Sequence, residues 1–267
     1  MFTVLFFGDV IGGLGRNALA IALPDLKKEL SPDFILANVE NLSHGRGISA
    51  KSLGEMDALG IDGYTSGNHV WNNIQGLTCF EDPRWKDRIV RPANVPPTRA
   101  GRGVMTLEKN GKKLVVTNFL GRLFMHESDE ASSPFLAFDR IAAEYADLPI
   151  LVDLHTETTS EKEAFGHHAD GRAAAVFGTH THVPTADEKI LPGGTAYITD
   201  VGRNGALDSV VGFEKISALG RFLDPNTKTY EIPKSGTAEI NAVLVTIDET
   251  TRRATALDRI RRFVAVS

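Results

Sequence analysis

The sequence predicts an α/β fold with two β-sheets, and three features predict it. Short apolar runs recur through the first two thirds of the chain, continuous rather than alternating, as in strands buried on both faces. Stretches of helical periodicity separate them, which is the alternation of βαβ units. In the last third, strand-like segments dominate. With no internal repeat, low-complexity tract or interdomain linker, residues 1–267 read as a single domain.

Taken in order, residues 3–8 are a first buried strand and residues 8–13 a tight loop after it. Residues 17–30 are helical, with Pro24 expected to kink or end the helix. Residues 34–39 form a second strand that ends on Glu40-Asn41, and residues 43–47 are a flexible loop. Residues 52–59 are a helix closed by Gly60. Residues 62–65 are a short third strand ending on Gly67-Asn68-His69. The stretch 82–103, rich in Pro and Arg, is irregular. Asn110-Gly111 suits a type I′ turn, so residues 104–107 and 114–119 pair as a hairpin. Residues 135–146 are helical. Residues 149–154 and 173–177 are buried strands, ending on His155 and on Gly178-Thr179-His180-Thr181-His182. Strands over 197–201, 230–232, 240–248 and 254–260 complete the chain.

Composition narrows the functional classes. Hydrophobic residues are 42% and charged residues 24%, ordinary for a globular protein. The net charge of -5 argues against non-specific nucleic-acid binding. Cys79 is the only cysteine, which excludes a disulfide framework and a thiolate metal cage. The apolar N-terminus has no basic flank and meets Asp9 at once, so it reads as a strand and not a signal peptide. No apolar run is long enough to span a membrane, and a cytoplasmic protein is expected.

Five strand-like segments end on polar residues of metal-binding type: Asp9, Glu40-Asn41, Asn68-His69, His155 and His180-x-His182. The last pair points one way if the segment is extended. It sits where an open α/β sheet puts its ligands. Each residue alone has a structural explanation, such as a turn cap for Asp9 or a left-handed loop position for Asn68. Five in succession, all where strands meet loops, point to a metal centre. Two cations about 3.5–4 Å apart can grip the attacking and leaving oxygens of a phosphoryl transfer, with a carboxylate between them. A mixed nitrogen and oxygen set suits Mn, Fe or Zn and does not separate them.

Gly8-Asp9, Gly67-Asn68-His69 and Gly178-x-His180-x-His182 together resemble the calcineurin-like metallophosphoesterases. More closely, Phe7-Gly8-Asp9-Val10, Asn38-Val39-Glu40-Asn41, Gly45-Arg46-Gly47, Gly67-Asn68-His69-Val70-Trp71, Arg91-Pro92-Ala93-Asn94 and residues 155–162 resemble the YmdB-type family of 2′,3′-cyclic-nucleotide 2′-phosphodiesterases. The resemblance continues to about Gly212. Two departures from the broader pattern, Ile11 where a histidine is usual and Glu40 where an aspartate is usual, agree with the narrower family. The resemblance implies a four-layer sandwich of two β-sheets flanked by helices. It implies two divalent metal ions per chain (Fe, Mn or Zn). Asp9, Asn41 and His182 would hold the first and Asn68, His155 and His180 the second, with Glu40 bridging. It implies attack of a metal-bound hydroxide on a 2′,3′-cyclic nucleotide, with His69 as the general acid and a 3′-monophosphate as product. It also implies a homo-oligomer.

Other residues carry weaker expectations. Arg46, between two glycines, could reach a substrate phosphate. Glu157 and Glu161 could each hold a ligand histidine, and the sequence does not choose between them. Asp200 could orient a ligand or simply close a turn. His126, His167 and His168 have no ligand-like context. Residues 13–18 match G-x-G-x-x-A, but Asp9 would oppose a pyrophosphate, so these glycines read as a loop making room for metal and substrate. The basic cluster at Arg252, Arg253, Arg259, Arg261 and Arg262 reads as the solvated face of a hairpin. Phosphomonoesters, RNA ends or phosphoproteins remain alternative substrates, and a metal-stabilised regulatory protein an alternative role.

Overall fold

The structure is a computed structural model and describes residues 1–125, 130–224, 226 and 230–267. The apolar runs become the strands of two six-stranded sheets. The first sheet has β1 (Phe2–Val10) near its middle, parallel to β2 (Phe34–Asn38), which is parallel to β3 (Gly63–Thr65). On its other side β1 meets two strands. Residues Phe2 to Phe7 pair with β11 (Gly236–Asp248) antiparallel, and Asp9 and Val10 pair with β10 (Arg203–Ala206) parallel. The strand β12 (Arg253–Val266) closes that edge as a hairpin with β11. The second sheet runs β4 (Val104–Lys109), β5 (Lys112–Leu120), β6 (Ile150–His155), β7 (Ala175–Thr179), β9 (Ala196–Ile198) and β8 (Lys189–Ile190). Its central strands are parallel and both edge strands antiparallel.

Alternation of side chains explains the layers. Val4, Phe6 and Leu36 face the second sheet and bury against Val116, Leu151 and Phe177, with the Phe6 and Phe177 rings 5.6 Å apart. Leu5, Phe7 and Ile35 face the other way, onto α1 (Gly12–Leu30) and α2 (Ala50–Asp57). On the second sheet Val115, Phe119 and Val152 pack against α3 (Pro134–Glu144) and α4 (Thr159–Ala169). The result is the expected four-layer sandwich. A short helix, α5 (Lys215–Leu223), precedes β11. Among the described residues no helix is long and apolar enough to cross a membrane.

Three local expectations change. Residues 8–13 are not a loop: β1 continues to Val10 and α1 starts at Gly12. The glycines of the G-x-G-x-x-A match therefore lie within the helix. A Cβ on Gly15 would stand 2.3 Å from the Asn204 carbonyl oxygen, so Gly15 is there for helix–strand contact and not for a ligand. Pro24 stays inside α1, which runs on to Leu30. Residues 230–232 form no strand. Ile232 instead packs onto Gly12 and Gly45. The Asn110-Gly111 turn behaves as expected, with both residues at positive φ.

Candidate metal centre

Every strand-end residue singled out above arrives at the seam between the two sheets. Asp9 comes from β1, Glu40 and Asn41 follow β2, and Asn68 and His69 follow β3, all on the first sheet. His155 ends β6 and His180 and His182 follow β7, on the second. Glu40 is the meeting point. Its Oε1 lies 3.2 Å from His155 Nε2 and 3.1 Å from Asn41 Nδ2, while Oε2 accepts from the His69 amide at 2.9 Å. His155 Nε2 is also 3.0 Å from Asn68 Oδ1 and 3.1 Å from His180 Nδ1. His182 Nε2 lies 3.2 Å from Asn41 Nδ2 and 3.8 Å from Asp9 Oδ1. Ligand atoms of Glu40, His155 and His180 all fall within 4.8 Å of one another.

The histidine pair does not converge by the expected route. The segment is not extended: His180 has φ 94° and His182 φ 65°, so two left-handed residues turn the chain at the end of β7. Asp200 holds that turn. Its Oδ2 accepts from the Thr181 amide (3.1 Å) and hydroxyl (2.8 Å), and from Lys162 Nζ at 2.7 Å. Lys162 is fully buried on α4 and also donates to the Thr179 carbonyl at 2.9 Å. The ion pair therefore sets the conformation between the two imidazoles.

Hydrogen bonds outside the centre fix which nitrogen each ring turns inward. His155 Nδ1 reaches Thr179 Oγ1 at 2.8 Å, and that hydroxyl donates to Asp153 Oδ1 at 2.6 Å. His182 Nδ1 donates to the Val211 carbonyl at 2.9 Å. Both rings thus present Nε2 to the seam. His180 is reversed: Nδ1 faces inward and Nε2 lies 3.2 Å from Glu157 Oε2. Of the two glutamates the sequence left open, Glu157 is the one at a histidine. Glu161 instead accepts from the Arg122 amide and Thr156 Oγ1. Asp153, unread in the sequence, accepts also from Thr65 Oγ1 at 2.5 Å and Asn38 Nδ2 at 2.8 Å. Its only signal was a charged residue inside the apolar run of residues 149–154.

The electrostatics are those of crowded, buried charge. Burial, then Glu40, Asp200 and Asp153, push Asp9 well above the usual carboxylate range, against the pull of His155. Burial works against a charged His155, but Glu40 and Asp9 outweigh it and raise the imidazole to about 9. Burial and then His155 hold His180 far below its ordinary value, and burial lowers His182 as well. Asp9 Oδ1 and Asn41 Oδ1 are buried without any hydrogen-bond partner. Buried orphan oxygens are costly unless something else satisfies them. A cation fits this donor set of carboxylate, amide and imidazole groups.

His69 stands half-buried beside the seam, its Nδ1 3.3 Å from Asn72 Nδ2. Arg46 is exposed on the turn 43–47, which closes through Ser43 N to Gly47 O at 2.9 Å, and it makes none of the contacts above. His168 pairs with Asp139 at 2.8 Å on α4, away from the seam. His126 lies outside the described residues. A cavity of about 630 Å³ is lined by Arg16, His44, Lys51 and Tyr230 and by none of the seam residues.

The model of the YmdB-like proteins matches residues 5–260. The chain is 40% identical over 259 residues to the 2′,3′-cyclic-nucleotide 2′-phosphodiesterase of Bacillus subtilis, covering 96% of each chain. A crystal structure of a hypothetical protein from Thermus thermophilus superposes with TM-score 0.89 at 37% identity, over 98% of this chain and 99% of the other. The NAD nucleotidase of Haemophilus influenzae shares the fold at TM-score 0.53 and 13% identity, over 99% of this chain and 56% of the other.

Proposed function

The chain belongs to the YmdB-like family, and from that premise we propose that it is a metal-dependent phosphodiesterase converting 2′,3′-cyclic nucleotides to 3′-monophosphates. The observation that carries the reading is the convergence at one seam of four side chains from one sheet (Asp9, Glu40, Asn41 and Asn68) and three from the other (His155, His180 and His182), with two buried oxygens left over for a cation. In this reading Asp9, Asn41 and His182 hold one divalent ion, Asn68, His155 and His180 hold a second, and Glu40 serves both. Bound there, the two ions (Fe, Mn or Zn) supply Lewis acidity toward phosphoryl oxygens and lower the pKa of water.

The chain's own residues do the rest. Glu157, Thr179 and the Val211 carbonyl aim the three imidazoles before any ion arrives. The Asn72 side chain, 3.3 Å from His69 Nδ1, orients the ring. As an imidazolium, His69 would protonate the 2′-oxygen as its bond to phosphorus breaks and be left as neutral imidazole, a step worth about 10²–10⁴ in rate. Arg46, exposed on its turn, is within the same proposal as a phosphate contact. So are a single catalytic domain over residues 1–267 and a homo-oligomeric state, which light scattering would read directly.

The test is turnover of 2′,3′-cyclic AMP by purified protein with Mn²⁺ and with a chelator, identifying the monoester formed. Metal-dependent release of the 3′-monophosphate is expected. His69→Ala should lower kcat about 10²–10⁴-fold with metal content unchanged. No turnover by protein holding two ions of Mn, Fe or Zn would overturn the substrate assignment.

A further inference from the structure

A second cavity, about 200 Å³, opens beside the centre, and Asn68 belongs to both. Val95, Leu120 and Ala131 line it and are buried in one small cluster with Trp71 packed against it. The indole is held by donation from Nε1 to the Ala100 carbonyl at 3.2 Å. The Arg99 guanidinium lies over the ring, 5.2 Å from its centroid. The rim is polar: Arg99 pairs with Glu130 at 3.2 Å, and Asn72 carries its amide to His69.

These features select one kind of ligand. A flat heteroaromatic ring stacks on aromatic and guanidinium planes with its face and hydrogen-bonds with its edge. Buried apolar side chains, an arginine over a tryptophan ring, and donors and acceptors beside them meet both needs. Pockets for whole drug-sized molecules run about 300–1,000 Å³, so this one admits a single ring system and not a nucleotide. Sugar and phosphate would then lie outside it, on the side of Asn68 and His69. The Arg99–Glu130 pair is exposed on both sides, and such pairs contribute little to stability.

We propose that this cavity receives the nucleobase of the substrate, and that Arg99 is a specificity-determining residue. The inference rests on the cyclic-nucleotide reading above. It is tested by comparing kcat/KM for 2′,3′-cyclic AMP with that for methyl riboside 2′,3′-cyclic phosphate, which lacks the base. Base stacking predicts a preference for the nucleotide of about 5- to 150-fold, carried by KM. Arg99→Met should shrink that preference at least about threefold, again through KM. Arg99→Lys, which keeps the charge and loses the plane, should behave like Arg99→Met. Arg99 is exposed, so neither variant disturbs the core. Equal kcat/KM for the two esters in the wild type, or an unchanged preference in Arg99→Met, overturns the inference alone. Failure to hydrolyse either ester overturns it together with the reading on which it rests.

Discussion

Glu157 lies half-exposed 3.2 Å from His180 Nε2. Glu161, in the first turn of α4, is buried and accepts from the Arg122 and Leu123 amides and the Thr156 hydroxyl. The two carboxylates are equivalent in the sequence and opposite in consequence. Glu157→Ala removes the partner of the candidate ligand His180, so it should weaken metal affinity about 10–100-fold in a chelator competition and leave the urea midpoint unchanged. Glu161→Ala leaves the buried Thr156 hydroxyl and the part-buried Arg122 and Leu123 amides without their acceptor and should cost about 1–3 kcal/mol in urea unfolding, with metal affinity close to wild type. At this scale the candidate ligands were legible, because each is a polar residue ending an apolar run. Their supports were legible only in part: Glu157 and Asp200 stood out as candidates, but their partners did not. Asp153, Thr179 and the Lys162–Asp200 pair act through contacts between residues far apart in the chain, and nothing local marks which carboxylate meets which donor.

The elements were legible where pattern and environment agree. Buried strands read as continuous apolar runs, and Asn110-Gly111 announced its hairpin. The helix α4 was missed because its inward face carries Glu161 and Lys162 beside Phe165, so its periodicity is weak. The start of α1 was misplaced for a different reason: its glycines look like a loop until Asn204, on β10, is placed against them. Two of those glycines should respond oppositely to the same change. A Cβ on Gly13 would find only Arg16 Nη2 at 3.8 Å, so Gly13→Ala should stabilise by about 0.5 kcal/mol through the unfolded chain. Gly15→Ala carries the same advantage but drives a methyl to 2.3 Å from the Asn204 carbonyl. Overpacking against backbone costs about 1–3 kcal/mol, so the net effect should be destabilising. Thermal unfolding of the two variants side by side checks the signs.

For the whole molecule, the seam that holds the candidate centre is also where the sheets meet. Phe6 and Phe177 join the sheets beneath it, both fully buried. Phe177→Ala should cost about 3–5 kcal/mol, read from denaturant unfolding. With candidate ligands drawn from both sheets, metal bound at the seam should stabilise the folded chain. At a hundred times its dissociation constant a divalent ion should add about 2.7 kcal/mol, seen as a Tm that falls on chelation. The order of strands has a consequence for how the protein is made. One edge of β1 is covered at once by β2, but Phe2 to Phe7 find their other partner in Ala242 to Ile247. At synthesis rates of about 5–20 residues per second, roughly 12–50 s separate the emergence of those two strands from the ribosome. For that interval the nascent chain presents an apolar strand with an open edge, the form most prone to pair with a neighbour. A chaperone that shields apolar strand edges would meet this one before any substrate meets the folded protein.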